Sequence, residues 1–252
     1  DQGTVLVKDI RPGSSGSIQS YAYVPDGETA VLGAKYLFPA NSGSGLDLWV
    51  SDGTEAGTIS LVDFVASNVP SLLARLRNGW LFVSDDGSTG REPWFTDGTP
   101  QGTVLAADVN PGPVGSNPEA MTGADRGVYD DAGRVHLAAK APFTAFTAAT
   151  GREPWLTDGP PAGTTMVADV NPGPLPSIAA NTDVWVARLP GSATFFFPAT
   201  DGITGFEVWR SDGTPAGTAL HADIASGASS SFPERPILAG STWLFSAIDG
   251  NT

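Results

Sequence analysis

Short apolar runs rich in aromatic residues recur along the chain, at Tyr36-Leu-Phe38, Trp80-Leu-Phe82, Val135-His-Leu137, Phe195-Phe-Phe197 and Trp243-Leu-Phe245. Polar, Gly- and Pro-rich stretches separate them. Aromatic and β-branched content in runs this short is the pattern of buried strands, and no stretch shows the 3.6-residue period of a long helix. In the best-patterned region the sequence predicts four strands: Pro70 to Arg77, Gly79 to Ser84, Glu92 to Asp97 and Thr103 to Asp108.

These strands belong to a repeat. A run beginning Gly-Thr and ending on Asp six residues after the Gly starts at Gly3, Gly57, Gly102, Gly163 and Gly217, at intervals of 54, 45, 61 and 54 residues. Four of the five runs follow a second block: Leu46-Asp-Leu-Trp-Val-Ser-Asp-Gly-Thr54, Arg91-Glu-Pro-Trp-Phe-Thr-Asp-Gly-Thr99, Arg152-Glu-Pro-Trp-Leu-Thr-Asp-Gly-Pro160 and Phe206-Glu-Val-Trp-Arg-Ser-Asp-Gly-Thr214. Intervals of this size, with strands and no helices, are those of propeller blades. The predicted fold class is therefore all-β, a β-propeller of five blades with about four antiparallel strands each. One domain spans 1–252, with units at 14–64, 65–109, 110–170 and 171–224, and a last blade shared between 225–252 and 1–13. That last blade lacks the equivalent of 205–215, its Trp strand, which leaves an exposed edge. Either the blade has three strands, or another chain supplies the strand, or the sequence is part of a longer propeller.

The Trp-x-x-Asp-Gly-Thr block resembles the bacterial ELWxxDGT-repeat family over nearly the whole chain. Departures are local, at Pro93, Pro154 and Pro160. The resemblance implies an exported bacterial protein, secreted or at the cell surface, on a propeller-like scaffold. It implies little about activity.

Composition narrows the chemistry. Net charge is −14 with only 13 Lys and Arg, which argues against nucleic acid and anionic membrane surfaces as partners. No apolar run is long enough to insert in a membrane. Zero Cys removes disulfides and thiolate metal sites, and two His, His136 and His221, cannot build a His-rich centre. No Ser-His-Asp set, phosphate loop or dinucleotide motif can be assembled. His136 and His221 stand at strand positions, the latter expected opposite Trp209.

Acids carry the remaining candidate chemistry. Each third-strand acid precedes a fourth-strand Asp by sixteen residues: Asp47 and Asp63, Glu92 and Asp108, Glu153 and Asp169, Glu207 and Asp223. Facing carboxylates need a cation, an Arg or backbone donors. The loop after the second strand adds Asp86, Asp201 and Asp249, with Ser42 and Ala141 at that register elsewhere. Two clusters result, Asp86, Glu92 and Asp108, and Asp201, Glu207 and Asp223, and hard oxygen ligands of this kind suit Ca²⁺. The competing use is structural: the fourth-strand Asp caps the following Pro-Gly turn, while the Glu pairs with Arg91 or Arg152 or accepts strand-end N–H groups. Asp52, Asp97, Asp158 and Asp212 are expected to build the Asp-Gly-Thr turns, and Trp49, Trp94, Trp155 and Trp209 to pack between blades.

For catalysis the candidates are Glu119, Asp183 and Glu234, near the channel-lining first strands, where a glycosidase would need two converging carboxylates. Glu119 and Glu234 sit in repeat register, whereas catalytic groups are normally unique to one position. The sequence thus points to a non-enzymatic extracellular binding or adhesion propeller with lectin-like glycan recognition through repeated loops. The alternatives are a structural module of a larger surface or filament protein, self-associating or completed by another chain's strand, and a channel-carboxylate glycoside hydrolase.

Overall fold

A computed structural model describes residues 3–18, 31–64, 70–123, 140–180, 184–188 and 192–250. The described chain is all-β; its helical content is one 3-10 turn, Pro161–Gly163. It divides into two compact units, Asp1–Asn117 with Gly159–Ala162, and Pro118–Asp158 with Gly163–Thr252.

The first unit holds two four-stranded antiparallel meanders. One runs β1 (Val31–Leu32), β2 (Lys35–Asn41), β3 (Leu46–Ser51) and β4 (Ile59–Val62), and the other β5 (Ser71–Leu76), β6 (Gly79–Asp85), β7 (Arg91–Thr96) and β8 (Val104–Leu105). In the second unit, β9 (Glu119–Ala120), β11 (Ala141–Thr147), β12 (Gly151–Thr157) and β13 (Thr165–Met166) form a third sheet of the same order. A fourth sheet adds β10 (Thr122–Gly123), parallel, to β14 (Trp185–Arg188), β15 (Phe195–Ala199), β16 (Glu207–Ser211) and β17 (Ala219–Ala222). The fifth is a hairpin, β18 (Glu234–Ala239) with β19 (Thr242–Ser246). Five successive sheets of this kind place the chain in the β-propeller class.

Each meander has one register. The second-strand Phe faces the third-strand Trp in all four: Phe38 with Trp49, Phe82 with Trp94, Phe143 with Trp155, Phe197 with Trp209. Two residues further on, a small residue faces the third-strand acid: Ala40 with Asp47, Ser84 with Glu92, Ala145 with Glu153, Ala199 with Glu207. Trp94 enters the core of the first unit with Leu48, Val50, Phe64 and Phe82, and its ring meets Phe64 edge-on at 5.1 Å. Trp209 takes the same place in the second unit, in a core with Leu156, Val170 and Phe197. In both cases a third-strand Trp packs against the preceding sheet, as expected of an interblade residue.

The hairpin between third and fourth strands explains the Asp-Gly-Thr-x-x-Gly-Thr signature residue by residue. Asp97 Oδ1 accepts both Thr99 N (2.9 Å) and Thr99 Oγ1 (2.6 Å), and Thr99 Oγ1 accepts Gly102 N at 3.0 Å. Thr103 Oγ1 then donates to Thr99 O at 2.7 Å. The same relay runs from Asp52 through Thr54 to Gly57, and from Asp212 through Thr214 to Gly217. The first Gly is needed for its backbone, with φ +81° at Gly98. The second is needed for space, since a Cβ on Gly102 would lie 2.1 Å from the Asp97 carboxyl.

Three strand expectations change. The second strand of the third sheet is Ala141–Thr147, so Ala141 lies in a strand opposite Thr157 and Thr147 holds the loop register assigned to it; the expected Val135-His-Leu137, with His136, lies outside the described residues. Residues 3–9 form no strand, with Val5 77% and Leu6 80% exposed, so the strand expected there for a shared last blade is not formed. Finally, β16 and β17 shift register between Val208 and Trp209, which puts Leu220 opposite Trp209 and leaves His221 at the bulge. The His221 ring meets Phe196 at 5.0 Å instead.

Candidate functional site

The repeated chemistry sits at the start of each third strand. Asp47, Glu92, Glu153 and Glu207 are fully buried, and the small residue opposite each leaves room for the carboxylate. A buried carboxylate needs several donors. The loop after the fourth strand, which turns back toward the next first strand with unpaired N–H groups, supplies them.

Glu207 shows the full set. Its carboxylate accepts Ile224 N (3.0 Å), Ala225 N (3.4 Å), Ser231 N (2.9 Å) and Ser231 Oγ (2.6 Å). Glu153 accepts Val170 N (2.9 Å), Ser177 N (3.0 Å) and Ser177 Oγ (2.6 Å). Glu92 accepts Val109 N and Asn110 N, both at 3.1 Å, and Ser116 Oγ. Asp47, one methylene shorter, takes Phe64 N at 2.9 Å and Ser42 Oγ at 3.5 Å. Each of the three Glu side chains thus clamps both ends of one loop, residues 109–116, 170–177 and 224–231.

Electrostatically, Asp47, Glu92 and Glu153 are pushed toward the neutral form. Burial raises Glu153 to about 7 against its Ser177 and Val170 hydrogen bonds, and the Asp169 charge adds to the rise. Burial also raises Glu92 against its donors, and raises Asp47, where the Phe64 hydrogen bond opposes the shift and the Asp63 charge reinforces it.

The expected metal clusters are not gathered. Asp86 Oδ1 closes its own turn, accepting Ser88 N, Thr89 N, Ser88 Oγ and Thr89 Oγ1 at 2.8 to 3.0 Å. Partial burial pushes Asp86 up, but those four bonds outweigh it and hold the acid at about 2. Asp201 does the same with Ile203 N and Thr204, and its pKa is lowered by these bonds despite partial burial. Asp223 accepts Gly227 N at 3.2 Å, as Asp169 accepts Gly173 N at 3.4 Å, capping the turn that follows. Glu92 and Glu207 are engaged by their loops, and Asp108 joins neither Asp86 nor Glu92 in a ligand set. Among the described residues no group of three or more His, Asp or Glu side chains stands ready for a metal.

Two of the catalytic candidates lie among the described residues. Glu119 faces Arg152, with Oε1 3.6 Å from Nη2, and Glu234 lies exposed at the start of β18. Asp183 lies outside the described residues. Arg152 therefore pairs with Glu119 rather than with its neighbour Glu153, because successive residues of a strand point to opposite faces. Burial lowers the Arg152 pKa, which the Glu119 charge opposes.

Sequence reasoning placed the acids at the correct end of the sheet and missed the serines. Ser116 and Ser177 follow the Pro-Gly-Pro turn at the same spacing, Ser116 preceded by Gly and Ser177 by Pro, and that spacing was the available signal. The same loops carry exposed apolar tips, Val114 at 69% and Leu175 at 65% exposure. Asn110 Nδ2 and Asn171 Nδ2 brace them by donating to Gly115 O (3.0 Å) and Pro176 O (3.2 Å).

A repeat of four-stranded meanders with clamped loops is what this fold and site define. No protein-family model and no curated protein sequence matches the chain. Among solved structures it is similar to TolB from Acinetobacter baumannii, at 14% identity and TM-score 0.38, over 82% of this chain and 47% of that one. It is also similar to a putative TolB from Agrobacterium tumefaciens, at 10% identity and TM-score 0.34, over 75% and 61%. The catalytic domain of Coprinopsis cinerea GH62 α-L-arabinofuranosidase gives 13% identity and TM-score 0.29 over 95% and 90%. The chain spans about half the length of the first of these.

Proposed function

We propose that the protein is a non-enzymatic binding propeller of the bacterial exterior that recognises glycans through its repeated loops. The observation that carries this reading is the clamp. Buried third-strand acids hold equivalent loops in place, and the tips of those loops expose Val114 and Leu175 beside prolines. Rigid loops presented in several copies suit weak recognition made strong by multivalency, which raises affinity by ~10²–10⁴.

A glycan array with the purified protein tests the reading. Hits should weaken when Val114→Ser and Leu175→Ser are combined, while Glu119→Gln and Glu234→Gln leave binding unchanged. Glycoside hydrolysis that vanishes in either Gln variant would replace the binding reading with an enzymatic one.

A further inference from the structure

The third sheet departs from the others in where its second carboxyl lies. Of the four Asp residues that end the fourth-strand runs, Asp63, Asp108 and Asp223 are exposed. Asp169 is half-buried, and its Oδ1 is buried with no hydrogen-bond partner among the described residues. Its Oδ2 accepts Gly173 N at 3.4 Å. The neighbouring Glu153 is fully buried and accepts Val170 N, Ser177 N and Ser177 Oγ. One donor used elsewhere is lacking there: Asn110 N reaches Glu92 and Ala225 N reaches Glu207, whereas Asn171 N makes no such bond to Glu153. Two carboxyls thus meet largely out of water, with too few donors to hold two negative charges.

What Glu153 fastens is the loop 170–177. Pro172, Pro174, Leu175 and Pro176 are exposed, so the body of the loop buries little and its ends carry the attachment. Besides Glu153, those ends are held by Ser177 N and Oγ on Arg152 O, at 3.2 and 3.4 Å, and by the Asn171 brace to Pro176 O. The other charges on the packed elements do not offset the pair. Arg152 and Glu119 meet on the opposite face of β12. The loop at Gly202, which closely approaches Asn171, carries Asp201, held ionised by the bonds that close its own turn. Burial therefore dominates, and with the Asp169 charge it raises Glu153 to about 7 against the Ser177 and Val170 hydrogen bonds.

We infer that a proton on Glu153 latches loop 170–177 of the third sheet, and that its loss to solvent as pH rises opens the loop. In the closed state the neutral carboxyl keeps its bonds to Val170 and Ser177 with the Asp169 carboxylate beside it. Ionised, it adds a second negative charge to a place short of donors, and opening lets water solvate both. Because the closed-state value lies above that of a solvated Glu, closure is favoured at low pH and opening grows as pH rises. The device operates whatever the loop binds.

Amide hydrogen exchange of the full chain between pH 5.5 and 8, corrected for the base-catalysed rise in intrinsic rate, reads the opening at Val170 N and Ser177 N. Ile224 N and Ser231 N, the same donors on Glu207, serve as the internal reference. A carboxyl that moves from about 7 when closed to 4.5 when solvated makes the opening at Val170 and Ser177 rise roughly 25-fold over this range, well beyond any change at the reference. Glu153→Gln, which does not ionise, should abolish the pH dependence, and Asp169→Asn should reduce the rise. Should Glu153→Gln fold poorly, the comparison of the two sheets in the unaltered protein decides alone. The proposal is overturned by protection at Val170 and Ser177 that is flat with pH or moves in step with the reference. A pH dependence that survives in Glu153→Gln, or a rise undiminished in Asp169→Asn, would also overturn it.

Discussion

Replacing Glu153 by Gln separates the two opposing forces on the clamp. Burial raises this carboxyl from 4.5 to about 7, so folding favours the protonated form. A rise of that size corresponds to roughly 3 kcal/mol between the two protonation states. Because the folded value lies above the unfolded one, the contribution of Glu153 is fully present below about pH 4.5, falls as pH rises, and is gone above about pH 7. Gln does not titrate. It also places an amide NH₂ against Val170 N or Ser177 N, which costs about 1–3 kcal/mol for an orphaned donor. Urea unfolding at pH 5, 6, 7 and 8 should find Glu153→Gln less stable than the wild type at pH 5, with the gap narrowing by roughly 2.5 kcal/mol toward pH 8. Asp47 and Glu92, raised in the same direction, titrate in both proteins and cancel in the difference. Asp86, held at about 2, acts only at lower pH. A gap that stays constant, or one that widens with pH, would refute the reasoning and show an acid ionised throughout.

The turn chemistry predicts a contrast between two glycines of the same Gly-Thr motif. Gly102→Ala puts a Cβ 2.1 Å from the Asp97 carboxyl and should cost about 1–3 kcal/mol, seen as a lower Tm, whereas Gly3→Ala meets nothing within 4 Å and should be silent. Thr214→Val breaks the relay from Asp212 to Gly217 and should destabilise by about 1–2 kcal/mol in a urea melt; an unchanged midpoint would remove the relay from the account of the fold. Because Asp86 and Glu92 are supplied with protein donors, EDTA should leave the melting temperature where it is, and a fall of several degrees would reinstate Ca²⁺ at these acids.

Much of this architecture is local in origin and therefore legible in the residues. The Asp-Gly-Thr turn is closed by bonds between residues two to four apart, so its spacing alone announced a hairpin at Asp52, Asp97 and Asp212. Second and third strands meet across short loops, and the Phe and Trp at fixed distances from those turns identified the core register in three of four sheets. The third sheet escaped because its unit is longer, and Val135-His-Leu137 looks more strand-like than Ala141-Pro-Phe-Thr-Ala-Phe146, the stretch that pairs with Trp155. Local pattern ranks candidates; pairing selects among them.

What tertiary structure decided was the partner of each buried acid. From spacing, Glu207 and Asp223 faced one another, either to hold a cation or with Asp223 capping the following turn and Glu207 accepting strand-end N–H groups. In the folded chain Glu207 reaches Ile224 N and Ser231, seventeen and twenty-four residues away, because a carboxylate out of water must find donors and only the returning loop offers unpaired N–H groups there. Sequence periodicity determines which strands exist, since it acts through neighbours along the chain. Which groups satisfy the buried charges, and which surfaces stay open, depends on residues that meet only after the sheets have formed.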